Sequence, residues 1–161
     1  MWSCNRRFFV LSAVALAGCG LTPVYGPDGA ATQLLRRVRV DTPDSVDSYQ
    51  FTRTLEDRLG RADSPAYGLA YDLTLREEGL AVLASQAITR YNVLGEATFA
   101  LTDLDTSQVV ASGRVSGFTG YSATGTTVAT RAAQTDAQAR LIVLLADQVV
   151  DRLALALSGR A

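Results

Sequence analysis

The sequence predicts an α+β fold, a two-layer sandwich in which two helices pack on one face of a four-stranded, mainly antiparallel sheet. Three observations support this prediction. Apolar and polar residues alternate in three consecutive segments between residues 69 and 116, as expected of strands with one buried face. Apolar residues spaced by four precede these segments, and a long run without Gly or Pro follows them. The predicted element order is therefore β-α-β-β-β-α.

The first two predicted elements are a strand and a helix. The strand is predicted over residues 33–41, because apolar and polar residues alternate there and a Thr-Pro pair follows. The helix is predicted over residues 46–59, because its apolar residues recur every four positions and Gly60 supplies a stop. Asp44 or Ser45 is expected to cap its first turn, since both carry an oxygen that accepts from backbone amides. The apolar face of this helix consists of Phe51, Leu55 and Leu59.

Three strands follow, each with one apolar and one polar face. The first is predicted to end at Glu77–Gly79, and a turn at 103–107 separates the other two. This alternation predicts an antiparallel meander with one buried and one exposed face. The residues expected on the buried face are Leu69, Tyr71, Leu73, Leu75, Tyr91, Val93, Ala97, Phe99, Leu101, Val109, Ala111 and Val115. The residues expected on the exposed face are Asp72, Thr74, Arg76, Arg90, Asn92, Glu96, Thr98, Val110, Ser112, Arg114 and Ser116.

The last predicted element is a long helix over residues 128–157, after a polar loop at 122–127. Its wide apolar stripe is expected to cover the sheet, and Asp136 precedes Arg140 by four residues, the spacing of an ion pair. Charged and amide side chains interrupt the stripe, which disfavours a second membrane anchor. The stripe consists of Ile142, Leu145, Ala146, Val149, Leu153 and Ala156.

Residues 1–18 are predicted to be a lipoprotein signal peptide. Two arginines precede an apolar stretch over residues 8–17, which is about half the length of a membrane-spanning helix. The closing sequence Leu-Ala-Gly-Cys resembles the bacterial lipobox, in which the peptide is cut before the cysteine and the thiol receives a diacylglycerol. We therefore expect a lipidated Cys19, a Gly- and Pro-rich tether over 19–30 and a single globular domain over 31–158. The alternative is an ordinary signal peptide with an unmodified thiol, which would favour Ala-x-Ala before its cut.

The composition excludes several classes of function. The chain contains no His and no Lys, which removes the usual general base, most zinc sites, the Ser-His-Asp triad and Schiff-base chemistry. Its net charge of −1 predicts no general attraction to nucleic acid. We therefore expect no catalytic residues, no metal site and no cofactor apart from the lipid on Cys19. The alternative left open is a hydrolase that uses a carboxylate pair, for which Asp72 and Glu96 are the candidates.

The predicted element order behind a lipidated cysteine resembles the LPS-assembly lipoprotein family, LptE, also called RlpB. The segment Cys-Gly-Leu-Thr-Pro-Val-Tyr-Gly at 19–26 is similar to the Cys-Gly-Phe-x-Pro-Leu-Tyr opening of alphaproteobacterial members, with Leu21 in place of the aromatic residue. The resemblance implies a periplasmic domain at the inner leaflet of the outer membrane. There it would plug an LptD-like β-barrel, assist its assembly and help to place lipopolysaccharide in the outer leaflet. An auxiliary lipoprotein of a lipid-transporting ABC system is the alternative.

Three arginines are the candidate contact residues for lipopolysaccharide or the barrel. Arg76, Arg90 and Arg114 are predicted on the exposed sheet face, and guanidinium groups bind phosphate or carboxylate through paired hydrogen bonds. A solvated face of mixed charge is the alternative interpretation. The turn at 103–107 and the loop at 122–127 are further candidate contact sites, because recognition often lies in loops.

Overall fold

The computed structural model describes residues 32, 34–82 and 88–158, with the side chains of residues 81, 82 and 88 left aside. Its elements are β1 (Val38–Val40), α1 (Val46–Leu59), β2 (Tyr67–Val82), β3 (Ile88–Asp103), β4 (Val109–Ser122) and α2 (Thr127–Ser158). The strands form one sheet in the order β1-β2-β3-β4. Strand β1 is parallel to β2, and β2, β3 and β4 form an antiparallel meander. The predicted α+β fold and element order are confirmed.

The two helices begin and end close to the predicted positions. Helix α1 spans 46–59 as predicted, and its cap is Ser45, whose hydroxyl accepts from the Ser48 amide at 3.2 Å. The Ser48 hydroxyl accepts in turn from the Ser45 amide at 2.8 Å, which completes a capping box. Gly60 ends the helix with a φ of +75°, in the left-handed region that favours glycine. Helix α2 is one residue longer than predicted at each end.

The strands differ from the prediction in length. Strand β1 covers only 38–40, because Arg36 adopts a φ of +59° and its amide donates to the Leu59 carbonyl at 2.7 Å, which turns the chain. Strand β2 continues to residue 82 through the predicted break at Glu77, because β3 pairs with it along its whole length. Strand β4 likewise continues to residue 122. The register shifts between Leu101 and Thr102, so that Val109, predicted on the buried face, is 56 % exposed.

The core lies between the sheet and the two helices. The predicted stripes supply it, with Phe51, Leu55 and Leu59 from α1 and Leu145, Val149 and Leu153 from α2 all nearly inaccessible to solvent. Ala156 is only partly buried. An ion pair also joins the helices, because the Arg58 guanidinium contacts both Asp147 carboxylate oxygens, at 2.7 and 3.4 Å.

Two glycines on neighbouring strands let α2 lie close to the sheet. Gly95 and Gly117 are paired across β3 and β4. A Cβ atom at Gly95 would lie 2.8 Å from Leu145 and 2.9 Å from Leu141, both on α2. The absence of these two side chains therefore sets the distance between the helix layer and the sheet.

Candidate functional site

The two helices cover one face of the sheet and leave the other face open. Of the side chains predicted to be exposed, all but one lie on this open face, because alternation along β2, β3 and β4 continues without a register shift through the centre of the sheet. The exception is Val110, which the register shift beside Leu101 turns toward the core. Two apolar residues also lie on this face. Leu94 is within the predicted strand but was assigned to neither of its faces, and Phe118 is in the part of β4 beyond the predicted strand. The open face consists of Asp72, Thr74, Arg76, Arg90, Asn92, Leu94, Glu96, Thr98, Ser112, Arg114, Ser116 and Phe118.

The three candidate arginines lie on the open face but do not form one cluster. Arg76 is in register with Leu94 and Phe118, whereas Arg114 is in register with Thr98, four residues further along β4. At about 3.3 Å per residue and 4.8 Å per strand, the Cα atoms of Arg76 and Arg114 are roughly 16 Å apart. By the same spacing Arg90, opposite Ser122, lies roughly 14 Å from Arg76 and roughly 27 Å from Arg114. The three guanidinium groups therefore offer separate contact points.

Arg114 already has a carboxylate partner on the same face. Its guanidinium lies 3.5 Å from the Glu96 carboxylate, with both side chains substantially exposed. Glu96 is thus paired with a cation, and Asp72, the other carboxylate of the candidate hydrolase pair, is opposite Thr98 one strand away. The described residues contain no cluster of three acidic side chains arranged to hold a metal ion.

A shallow groove crosses the open face beside Arg76. Its volume is about 650 Å³. Phe118, 66 % exposed, stands at its wall on β4, and charged and hydroxyl groups alternate with apolar surface along its floor. Such a mixed surface suits a ligand or partner that carries both anionic and apolar groups. Its lining consists of Thr74, Arg76, Leu94, Gly95, Glu96, Ser116, Gly117 and Phe118.

A polar cluster closes the end of the sheet far from α1. The buried Tyr121 hydroxyl donates to one Glu77 carboxylate oxygen, and the Gln134 amide on α2 donates to the other at 2.7 Å. Tyr91 stacks on Tyr121 with ring centroids 5.3 Å apart. Burial, and then the hydrogen bond to Glu77, raise the pKa of the Tyr121 phenol above its ordinary value. This cluster explains how a charged residue is accommodated within β2.

The two candidate contact loops have different local structures. In the turn after β3, one Asp103 oxygen accepts from the amides of Asp105 and Thr106 at 3.0 and 2.8 Å. The Thr106 amide and hydroxyl, and after them the Asp105 amide, hold the pKa of the Asp103 carboxyl below its usual range. In the loop before α2, the Thr126 hydroxyl accepts from the Ala129 amide at 3.3 Å, which is a helix cap. Contact by either loop stays a prediction.

Similar folds occur in several solved lipoprotein structures. A candidate lipoprotein from Caulobacter crescentus CB15 superposes with a TM-score of 0.66 at 21 % identity, covering 80 % of this chain and 96 % of that one. Rare lipoprotein B from Shewanella oneidensis superposes with a TM-score of 0.56 at 15 % identity, covering 77 % and 95 %. Lipoprotein B from Nitrosomonas europaea gives a TM-score of 0.60 at 10 % identity, covering 78 % and 86 %. At these identities the likeness concerns the fold.

The predicted leader at 1–18, the tether at 19–30 and Cys19 lie outside the described residues. Among the helices of the described part, none combines the length and the apolar character needed to cross a membrane. No curated protein matches the chain. The family model for LptE, lipopolysaccharide-assembly, matches residues 35–153, a range that begins before β1 and ends within α2. The match includes the whole sheet, and the chain therefore belongs to the LptE family of lipopolysaccharide-assembly proteins.

Proposed function

We propose that this chain is a lipoprotein of the outer membrane, anchored by lipid on Cys19, that plugs an LptD-like β-barrel and assists its assembly. In that role it serves lipopolysaccharide transport to the outer leaflet. The observation that carries the proposal is the family match over residues 35–153, which takes in the entire sheet and most of α2. The Leu-Ala-Gly-Cys sequence at 16–19 supports the anchor, and the open sheet face supports a binding role without catalysis.

The open face has a chemistry that suits lipopolysaccharide or the wall of a barrel. Arg76 lines a groove that also contains the exposed Phe118, so that a phosphate and an apolar group could be bound side by side. Arg90 and Arg114 add cations at separate points of the same face. Contact by Arg76, Arg90 and Arg114 stays part of the proposal.

Copurification from detergent-solubilised outer membrane tests the main proposal. The expected result is a large barrel protein recovered with the chain in one-to-one ratio. A variant with Cys19→Ser removes the lipid acceptor, and the chain should then no longer incorporate labelled fatty acid, whereas the native chain should. Recovery of an inner-membrane ATPase and a substrate-binding protein instead would contradict the proposal and support the lipid-transport alternative.

A triple substitution tests the arginines separately. Arg76→Gln, Arg90→Gln and Arg114→Gln together should weaken binding of lipopolysaccharide or the barrel and leave the circular dichroism spectrum unchanged, since all three side chains are exposed. Arg53→Gln, Arg131→Gln and Arg152→Gln form a matched control, because these exposed arginines lie on the helices. Equal binding by both triple variants and the native chain would exclude the open-face arginines.

A further inference from the structure

Strand β4 forms one edge of the sheet in the part of the chain that the structure describes. The Ala123 amide donates to the Thr89 carbonyl of β3 at 2.9 Å, and the register is unshifted from Ser122 back to Ala111. Backbone groups of successive strand residues point to opposite sides. The odd-numbered residues of β4 therefore bond to β3, and the even-numbered residues point their N–H and C=O groups away from the sheet. These outward residues are Ser112, Arg114, Ser116, Phe118 and Gly120.

This edge lacks the features that usually prevent strand addition. Natural edge strands are protected by charges, prolines, bulges or short length. Over 111–122, β4 has no proline, no register shift and a single charge, Arg114, which is paired with Glu96 on the neighbouring strand. At the opposite edge of the sheet, β1 pairs only with the first residues of β2, and the rest of β2 is protected in other ways. This part of β2 carries the charged residues Asp72, Arg76, Glu77 and Glu78, and it ends in a bulge after Gly79.

Apolar side chains stand above and below the space beside β4. On the helix side, Leu144 of α2 is 39 % exposed and lies over Gly117, within 2.7 Å of where a Cβ atom would be. On the open side, Phe118 is 66 % exposed. A fifth strand at this edge would cover both side chains and bond to the outward backbone groups, which is the geometry of β-strand addition.

We propose that the outward edge of β4, residues 112–120, pairs with an extended strand of the barrel partner before that barrel closes. This inference rests on the proposed function. Strands of membrane barrels alternate apolar and polar residues, which suits an edge with Leu144 on one side and Ser116 and Arg114 on the other. A closed barrel has no free edge, so the pairing belongs to assembly.

Photo-crosslinking in growing cells tests the pairing. A benzophenone side chain is placed at Ser112, Ser116 or Phe118, and at Arg53 as the control, since Arg53 is also exposed but lies on α1, away from the open face and from the β4 edge. In a pulse-chase experiment, the three β4 positions should crosslink to newly made barrel protein, and Arg53 should not. The partner residues that crosslink to Ser112, Ser116 and Phe118 should all lie in one segment of the partner. They should be separated by four and then two residues, because paired strands keep the same spacing.

A proline on the edge tests the consequence for assembly. Ser116→Pro removes an outward N–H and leaves the bonds to β3 intact, so that thermal unfolding should stay close to native while folding of the barrel slows roughly tenfold. Val115→Pro is the matched control, because it removes a bond to β3 and should destabilise the chain itself. Ser116→Lys adds an edge charge without changing the backbone and should also slow barrel folding.

Three results would overturn the inference. The first is a set of Ser112, Ser116 and Phe118 crosslinks scattered over the partner, and the second is crosslinking confined to this chain's own tether or a second copy. The third is native barrel folding with both Ser116→Pro and Ser116→Lys. In each case, copurification of the barrel with the native chain shows that the proposed function still stands. Failure of that copurification would reject the proposed function itself.

Discussion

Replacing Gly95 by alanine is the sharpest test of how α2 packs on the sheet. The new Cβ atom would lie 2.8 Å from a Leu145 methyl carbon and 2.9 Å from methyl carbons of Leu141 and Leu75. Each of these contacts is shorter than carbon atoms tolerate, and Leu141 and Leu145 are fully buried. Because three side chains from two layers surround the site, none can withdraw without disturbing another.

The expected loss of stability follows from two opposing effects. Overpacking a core costs about 1–3 kcal/mol, while replacing glycine stabilises by about 0.4–1 kcal/mol through the unfolded chain. We expect Gly95→Ala to lower the free energy of unfolding by about 1–2 kcal/mol. In a domain of this size, that corresponds to a decrease of roughly 4–8 °C in Tm.

Two neighbouring glycines provide graded controls for this measurement. A Cβ atom at Gly117 would contact Leu144 at 2.7 Å, but Leu144 is 39 % exposed and can turn toward solvent. A Cβ atom at Gly120 would meet only the Asn92 side chain at 3.2 Å and the Tyr91 carbonyl at 3.5 Å. Thermal unfolding followed by circular dichroism should rank the losses as Gly95→Ala, Gly117→Ala and Gly120→Ala, in decreasing order. An equal Tm for Gly95→Ala and the native chain would refute the close approach of α2.

Three further substitutions test the cap, the helix contact and the polar cluster. Ser45→Ala should cost about 1 kcal/mol of stability in urea unfolding, whereas Ser45→Asp, which retains a cap, should cost little; equal losses would contradict the capping role. Arg58→Gln removes an exposed ion pair with Asp147 and should cost at most about 0.5 kcal/mol, a difference that disappears in 1 M salt. Because the pKa of Tyr121 is raised above 10.0 in the folded chain, the unfolded chain loses this proton first as the pH rises. The free energy of unfolding should therefore fall above about pH 10, by up to about 1.4 kcal/mol per pH unit. The free energy of unfolding of Tyr121→Phe should fall less steeply over the same range. Equal slopes for the two chains between pH 9 and 11 would exclude a contribution of the Tyr121 proton to stability.

The features that the sequence predicted correctly depend on local patterns. The spacing of Phe51, Leu55 and Leu59 defined α1, and Ser45 and Gly60 marked its ends. Alternation likewise placed Arg76 and Arg114 on the exposed side of the sheet. These patterns are readable because a helix or strand repeats over a few residues.

The features that the sequence could not predict depend on distant partners. Glu77 suggests the end of a strand, yet its carboxylate is bound by Tyr121 and Gln134, 44 and 57 positions away. The left-handed backbone of Arg36 depends in the same way on the Leu59 carbonyl. The separation of the candidate arginines was also hidden, because it follows from strand register and not from strand pattern.

Strand β4 separates the requirements of folding from those of binding, residue by residue. Odd-numbered residues such as Val115 and Tyr121 direct their side chains toward α2 and their backbone groups toward β3. Even-numbered residues such as Ser116 and Phe118 direct their side chains to the open face and their backbone groups to the free edge. Substitutions at odd positions should therefore change stability, whereas those at even positions should change partner binding with little effect on stability. This parity explains how a strand can retain a long unprotected edge without weakening the sheet to which it belongs.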